Sequence, residues 1–254
     1  MPTALVTGAT AGIGAAFARR LAADGFALVL VARDKARLEE AAETYRKSHG
    51  VEVEIIAADL ATDEGMSIVE DRLRLGVDLL INNAGFGHPG RFLKVPVADE
   101  ITMLRLHCEA VLRLTSAALP GMIERKQGGV INVASVAAFF ARGTYSASKA
   151  WVVSFSDSVM QDLGGTGVHV MALCPGFVHT EFHDRAQMDM SGVPEFMWFE
   201  ADKFIGLALA DYRKRVVVSI PGANYKALVG FSRLIPRAVS SRISSRAGRK
   251  YDAD

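Results

Sequence analysis

The chain is poor in cysteine: it has two, Cys108 and Cys174, in 254 residues. Two thiols cannot build a disulfide framework, so stability must rest on a buried core and a reducing, cytoplasmic setting is expected. No run of about 18 apolar residues occurs, so a membrane-spanning helix is not expected. Nor does a charged and apolar leader precede the first apolar run at Ala4 to Thr7, which argues against secretion. Net charge is also scarce, since 29 Lys and Arg against 28 Asp and Glu leave only +1. That removes any overall pull toward nucleic acid or anionic membrane. Linkers, repeats and low-complexity tracts are missing as well. A length of 254 residues, with 50% hydrophobic and 22% charged, suits one domain over 1–254 with a full core. No metal site is expected.

What is present is alternation. TALVT, ALVLVA, EVEIIAA, DLLIN, GVINVAS, HVMALC and RVVVSI have strand length and aliphatic content, and most are separated by one segment of helical period. Strands apolar on both faces, alternating with helices, point to an α/β fold: a doubly wound parallel sheet, Rossmann-like, with helices on both faces. Residues 183–202 break the rhythm and are expected to form a lid, because loops of that length are usually functional.

The first strand runs into 7-TGATAGIG-14 and then a helix. Strand, glycine-rich turn and helix N-terminus together make a phosphate site. Gly8 permits the tight turn, Gly12 lets backbone approach a pyrophosphate, and Gly14 allows close packing. The spacing is Gly-x3-Gly-x-Gly.

At that spacing the sequence resembles the short-chain dehydrogenase/reductase family over nearly its whole length. TGxxxGIG is matched by Gly8, Gly12, Ile13 and Gly14, NNAG by residues 82–85, YxxxK by Tyr145 to Lys149, and a later PG by Pro175 and Gly176. The resemblance implies hydride transfer between a nicotinamide cofactor and a carbonyl or alcohol, commonly in a homodimer or homotetramer. The ketoacyl-reductase-like branch is the nearest. It also implies cofactor contacts from Thr10, Asn83, Ala84, Gly85, Val178 and Thr180, the last holding the carboxamide. Arg33, directly after ALVLVA, favours NADP over NAD, because a guanidinium bonds a 2'-phosphate through two N–H groups. Asp34 either takes the ribose or caps the next helix, and the cap is preferred. Asp59 resembles the adenine-contacting position, or it belongs to the cap region of the following helix.

Tyr145 and Lys149 are four apart and share a helix face. Bringing a phenol from pKa 10 to about 7 takes roughly 4 kcal/mol, and an ammonium about 4 Å away in an effective dielectric near 20 supplies that much. By the resemblance, Ser135 hydrogen-bonds the substrate oxygen, Tyr145 exchanges its proton, and Lys149 holds the ribose and tunes Tyr145. Ser135 and Tyr145 are ten apart, about three fewer than is usual in the family, so the loop 136–144 must be tight. Phe139, Phe140, Phe177, Phe182, Met188, Phe196, Met197, Trp198 and Phe199 gather near the expected mouth. Some belong to the core, but their density suggests a bulky apolar carbonyl substrate: ketoacyl, steroid, retinoid or aromatic ketone.

Two features stand apart. Residues 226–254 hold seven Lys/Arg against two Asp/Glu, and Leu228, Phe231, Leu234 and Ile235 among them allow weak membrane-surface contact, although Pro236 interrupts the helix. No nucleic-acid motif accompanies this charge. In 104-LRLHCEAVLRLT-115, Leu104, Cys108, Val111 and Thr115 form a helical stripe with His107 beside it. The resemblance places His107 where an asparagine completes the catalytic group. Two readings stay open: a proton relay titrating at about pH 6 to 7, or a buried, packed imidazole. The departure at His107 is also the support for an alternative function, an NADP-binding regulatory protein with little turnover.

Overall fold

The computed structural model describes residues 1–88, 92–141, 143–182, 186 and 190–234. The short apolar runs become strands β1 (Thr3–Thr7), β2 (Ala27–Ala32), β3 (Val53–Ala57), β4 (Leu79–Asn82), β5 (Gly129–Val133) and β6 (His169–Leu173). Every residue of β4, β5 and β6 is buried, as the absence of polar alternation requires when both faces are covered. Two short strands, β7 (Phe177–Val178) and β8 (Trp198–Phe199), pair with each other outside the main sheet, and β9 (Val218–Ser219) closes its edge.

The main sheet is parallel throughout, in the order β3-β2-β1-β4-β5-β6-β9. Strand order reverses between β1 and β4, the switch point where such folds open a crevice at the carboxyl ends of the strands. One face is covered by α1 (Gly12–Ala23), α2 (Lys35–His49) and α7 (Ala201–Arg213), which bury Phe17, Leu21, Leu38 and Phe204. The other carries α3 (Asp63–Arg74) and α5 (Ala110–Glu124), burying Met66, Leu73, Leu114 and Met122. The remaining helices are α4 (Val97–Leu104), α6 (Gly143–Asp162) and α8 (Ala223–Leu234). The doubly wound expectation is met.

The last strand, expected over RVVVSI, shortens to Val218–Ser219, the two residues that pair with β6 at the sheet edge. Of the expected lid, 183–185 and 187–189, Met188 included, lie outside the described residues. Its later part is built structure: a 3-10 turn at Glu195–Met197, then β8 held on β7, then the N-terminus of α7. The basic segment begins as α8, with Leu228 and Phe231 exposed and Val229 buried. Residues 235–254 lie outside the described residues. No helix among the described residues is long and apolar enough to cross a membrane.

The helical stripe around His107 holds downstream of His107 and departs upstream of it. Between α4 and α5 the residues Arg105–Glu109 form a π turn, one residue wider than the α-helical repeat. Val111 and Thr115 of the expected stripe are buried, together with Met103, His107, Ala110, Leu114, Ala118 and Met122, while Leu104, upstream of the turn, is 39% exposed.

Candidate active site

Gly8 and Gly12 have φ of +65° and +53°, left-handed values that favour glycine. A Cβ on Gly12 would sit 3.2 Å from Thr180, and one on Gly14 would run into the Gly8 carbonyl and the Asn83 amide. The turn is therefore a cradle whose floor a side chain would fill. Asp34 caps α2 by accepting from the Arg37 N–H, and Thr62 caps α3, but Ala11 gives α1 no side-chain cap and its first turn holds no acid. An N-terminus left in that state, opening onto a glycine cradle, fits a pyrophosphate. Ile13 packs against the core below it, and the Thr10 carbonyl accepts from Arg37.

The cradle is braced from β4. Asn83 donates its side-chain amide to the Thr7 carbonyl at 2.9 Å, and the N–H groups of Asn83 and Ala84 both donate to Thr7 Oγ1, at 2.9 and 3.0 Å. Thr7 opens the TGxxxGIG turn, yet the motif by itself gave it no role, because spacing does not say what a hydroxyl holds. Asp34 is thereby a cap, as preferred. Arg33 is exposed and makes no hydrogen bond or ion pair among the described residues, which leaves its guanidinium available at the end of β2 for a 2'-phosphate. Asp59 Oδ1 accepts from the Ala61 N–H at 3.0 Å, so this carboxylate braces the turn into α3.

On the other side of the crevice, α6 brings the chemistry together. Ser135 lies two residues past the end of β5 and caps a 3-10 turn over Val136–Phe139 by accepting from the Ala137 N–H. That turn takes up the short loop and leaves Ser135 in a side-chain hydrogen bond with Tyr145. Lys149 Nζ donates to the Val133 carbonyl at 3.0 Å and lies 5.9 Å from the Tyr145 ring centre. Ser135, Tyr145 and Lys149 thus converge, as expected from their spacing. Their ionisation differs from expectation. Burial pushes Tyr145 up to about 12, eased by its bond to Ser135, and burial brings Lys149 down to about 8. The ammonium is committed to a carbonyl and the site is buried, so desolvation wins.

His107 is fully buried. Its Nε2 accepts from the Phe86 N–H at 3.2 Å and its Nδ1 lies 2.9 Å from Ser148 Oγ. Its ring meets that of Tyr145 edge-on at 5.6 Å. Burial foremost, then the Lys149 charge, pushes its pKa well below the ordinary histidine value, away from the ionisation near neutrality that a relay would show. Gly85 lies against this ring: a Cβ there would stand 2.8 Å from Nε2 and 3.6 Å from Lys149 Nζ.

Past β6, Pro175 accepts from the Val136 N–H, and Thr180 Oγ1 accepts from the Phe182 N–H. The Val178 side chain is buried in the core cluster. Gly176 answers to Tyr225, whose ring occupies the space a Cβ would need. The Tyr225 hydroxyl accepts from the Phe177 N–H at 2.8 Å and donates to the Met197 carbonyl at 2.6 Å, tying β7 to β8. Sequence reading missed Tyr225 too, since it lies in no motif. Around it pack Phe139, Phe140, Phe177, Met197 and Phe199, which makes them a satellite core. Phe196 is exposed, and Trp198 stacks on His179. Phe182, 6.1 Å from the Tyr145 ring, and Phe86, 6.1 Å from His107, are the aromatics left beside the chemistry.

A model of the short chain dehydrogenase family matches residues 2–191. The very-long-chain 3-oxoacyl-CoA reductase of Anas platyrhynchos is 35% identical over 190 residues, 70% of this chain and 60% of that protein. The chain thus spans about three fifths of the length of such a relative. A short-chain dehydrogenase from Sphingobium yanoikuyae, solved with NADPH, superposes with a TM-score of 0.84 at 36% identity, over 92% of this chain and 94% of that one. The bulky-bulky ketone specific alcohol dehydrogenase of Comamonas testosteroni, in its orthorhombic crystal, gives 0.80 at 31% identity over 94% and 96%. A family match over most of the length, a parallel sheet wound in this order and a glycine cradle facing Ser135, Tyr145 and Lys149 agree: the chain belongs to the short chain dehydrogenase family.

Proposed function

We propose that this protein is an oxidoreductase that moves hydride between NADP(H) and the carbonyl or secondary alcohol of a bulky apolar substrate. The observation that carries the reading is the convergence of Ser135, Tyr145 and Lys149 on the crevice that begins at the glycine cradle. The uncapped N-terminus of α1 and Gly8, Gly12 and Gly14 would hold the pyrophosphate, Arg33 the 2'-phosphate, and Lys149 and Thr180 the nicotinamide half. When bound, the cofactor supplies or accepts the hydride. The chain does the rest. Ser135 orients the substrate oxygen, and Tyr145, neutral through the physiological range, donates a proton to it in the reductive direction.

The NADPH complex of the Sphingobium relative supports the cofactor. The apolar substrate is supported by Phe86 and Phe182 beside the reacting groups and by the names of the acyl-CoA and bulky-ketone relatives. Val97, Ile101 and Leu104 are exposed along one side of α4, which supports a homo-oligomer covering that row.

Initial rates of NADPH and NADH oxidation over a graded panel of ketoacyl thioesters, steroids and aromatic ketones test the whole reading. Oxidation of NADPH by the larger apolar carbonyls, with NADH slower, is expected. NADPH binding without turnover on any of them would overturn it in favour of a regulatory protein.

A further inference from the structure

Ser148 has one hydroxyl hydrogen, and the geometry commits it: Oγ donates to the Tyr145 carbonyl at 2.8 Å. Toward His107 Nδ1, 2.9 Å away, the same oxygen can therefore only accept, so Nδ1 carries the ring hydrogen. That leaves a lone pair on Nε2, which faces the Phe86 N–H at 3.2 Å and accepts from it. Both ring nitrogens are thus engaged by groups that fix their roles. One bond goes to the first turns of α6, which carries Tyr145 and Lys149. The other goes to the residue that follows Asn83, Ala84 and Gly85 on the cradle side.

We propose that His107 is a positioning residue: a neutral strut, protonated on Nδ1, that sets the separation between the loop after β4 and the start of α6. A relay would need an imidazole nitrogen free to take up or release a proton toward Lys149, and neither is free. The π turn is what aims the ring inward, and Gly85 is what lets the loop come close enough to be held. Among the described residues, the ionisable groups around the ring are Tyr145 and Lys149 on α6, Cys108 on the π turn and His88 beyond Phe86. None is a carboxylate, and burial keeps the phenol and the thiol in their neutral forms, so none favours an imidazolium.

The kinetic part of the test rests on the oxidoreductase reading, whereas the tautomer and the binding of NADPH do not. Nitrogen-15 NMR of the full chain should show His107 protonated on Nδ1, with no titration across about pH 5.5–8. Protonation on Nε2, or a titration in that window, would overturn the strut even if no carbonyl is ever found to react. Single-armed variants separate the two bonds. The His107→Asn amide reaches Ser148 and not Phe86, so the loss should fall mainly on NADPH affinity, by about tenfold in a fluorescence titration. The His107→Gln amide reaches Phe86 and not Ser148, so the loss should fall mainly on kcat, again by about tenfold. His107→Leu, with neither bond, should lose both. Equal effects of Asn and Gln on both quantities, or parent behaviour in the Leu variant, would overturn the proposal.

Discussion

Replacing Tyr225 by phenylalanine isolates one oxygen atom. The ring that fills the space above Gly176 remains, so no cavity opens, but the hydroxyl that joins β7 to β8 is gone. Tyr225 is 2% exposed, and both partners are backbone groups that cannot turn elsewhere. Two lost hydrogen bonds at about 1 kcal/mol each, plus the cost of leaving an N–H and a carbonyl short of partners, come to about 3 kcal/mol. At roughly 2–4 °C per kcal/mol for a chain of this size, the melting temperature should fall by about 6–12 °C. Since β8 leads from the segment around the expected substrate mouth into α7, the KM for a bulky carbonyl should rise while NADPH affinity holds. Calorimetry with parallel kinetics checks both. A fall of under about 2 °C would show that water replaces the hydroxyl without loss, and that β7 and β8 do not depend on it.

Arg33→Asp should turn a charge-assisted bond to the 2'-phosphate into repulsion, lowering kcat/KM for NADPH by at least about a hundredfold while NADH is little affected. Parent kinetics with equal use of both cofactors would refute the assignment. Tyr145→Phe should bind NADPH nearly as the parent does and lose most turnover, since the hydroxyl acts in the transition state. Activity within a few-fold of the parent would remove it from the proton step. Lys149, brought by burial from 10.5 to about 8, is charged below that pH and neutral above it. The rate of NADPH oxidation should therefore fall above about pH 8 as the cation is lost. The linked effect on stability has the opposite sense. The folded chain releases this proton before the unfolded one does, so its contribution to stability grows from about pH 8 to 10.5. An alkaline limb unchanged in Lys149→Met would assign it elsewhere.

The strands of the sheet could be read from sequence because each is a short aliphatic run that has to be covered on both faces. The cofactor side was legible for a related reason: Gly8, Gly12 and Gly14 are required by backbone geometry and close approach, which no other residue type meets. Tyr145 and Lys149 could be paired because four residues make one helical turn. Their ionisation could not, because it depends on how dry the site is and where the ammonium points, and spacing carries neither. The aromatic residues could not be sorted into mouth and core from the sequence, since a phenylalanine that lines a mouth and one that fills a satellite core look the same there. Leu104 was assigned to the buried side by a 3.6-residue period that holds on each side of the π turn but not across it.

That one surplus residue gives the rod from 97 to 124 two phases. Downstream, Leu114, Ala118 and Met122 are aligned to the sheet. Upstream, Val97, Ile101 and Leu104 are aligned to whatever lies outside. Deleting any one residue between 105 and 109 would not break the rod. It would wind it into a uniform helix and rotate everything before it by about 100° against everything after it. Met103 would swing out of the core and the outward row would turn to a new heading. At this point in the chain, a change in length of a single residue acts as a change of angle, and the reacting groups and the outer surface cannot both keep their bearings through it.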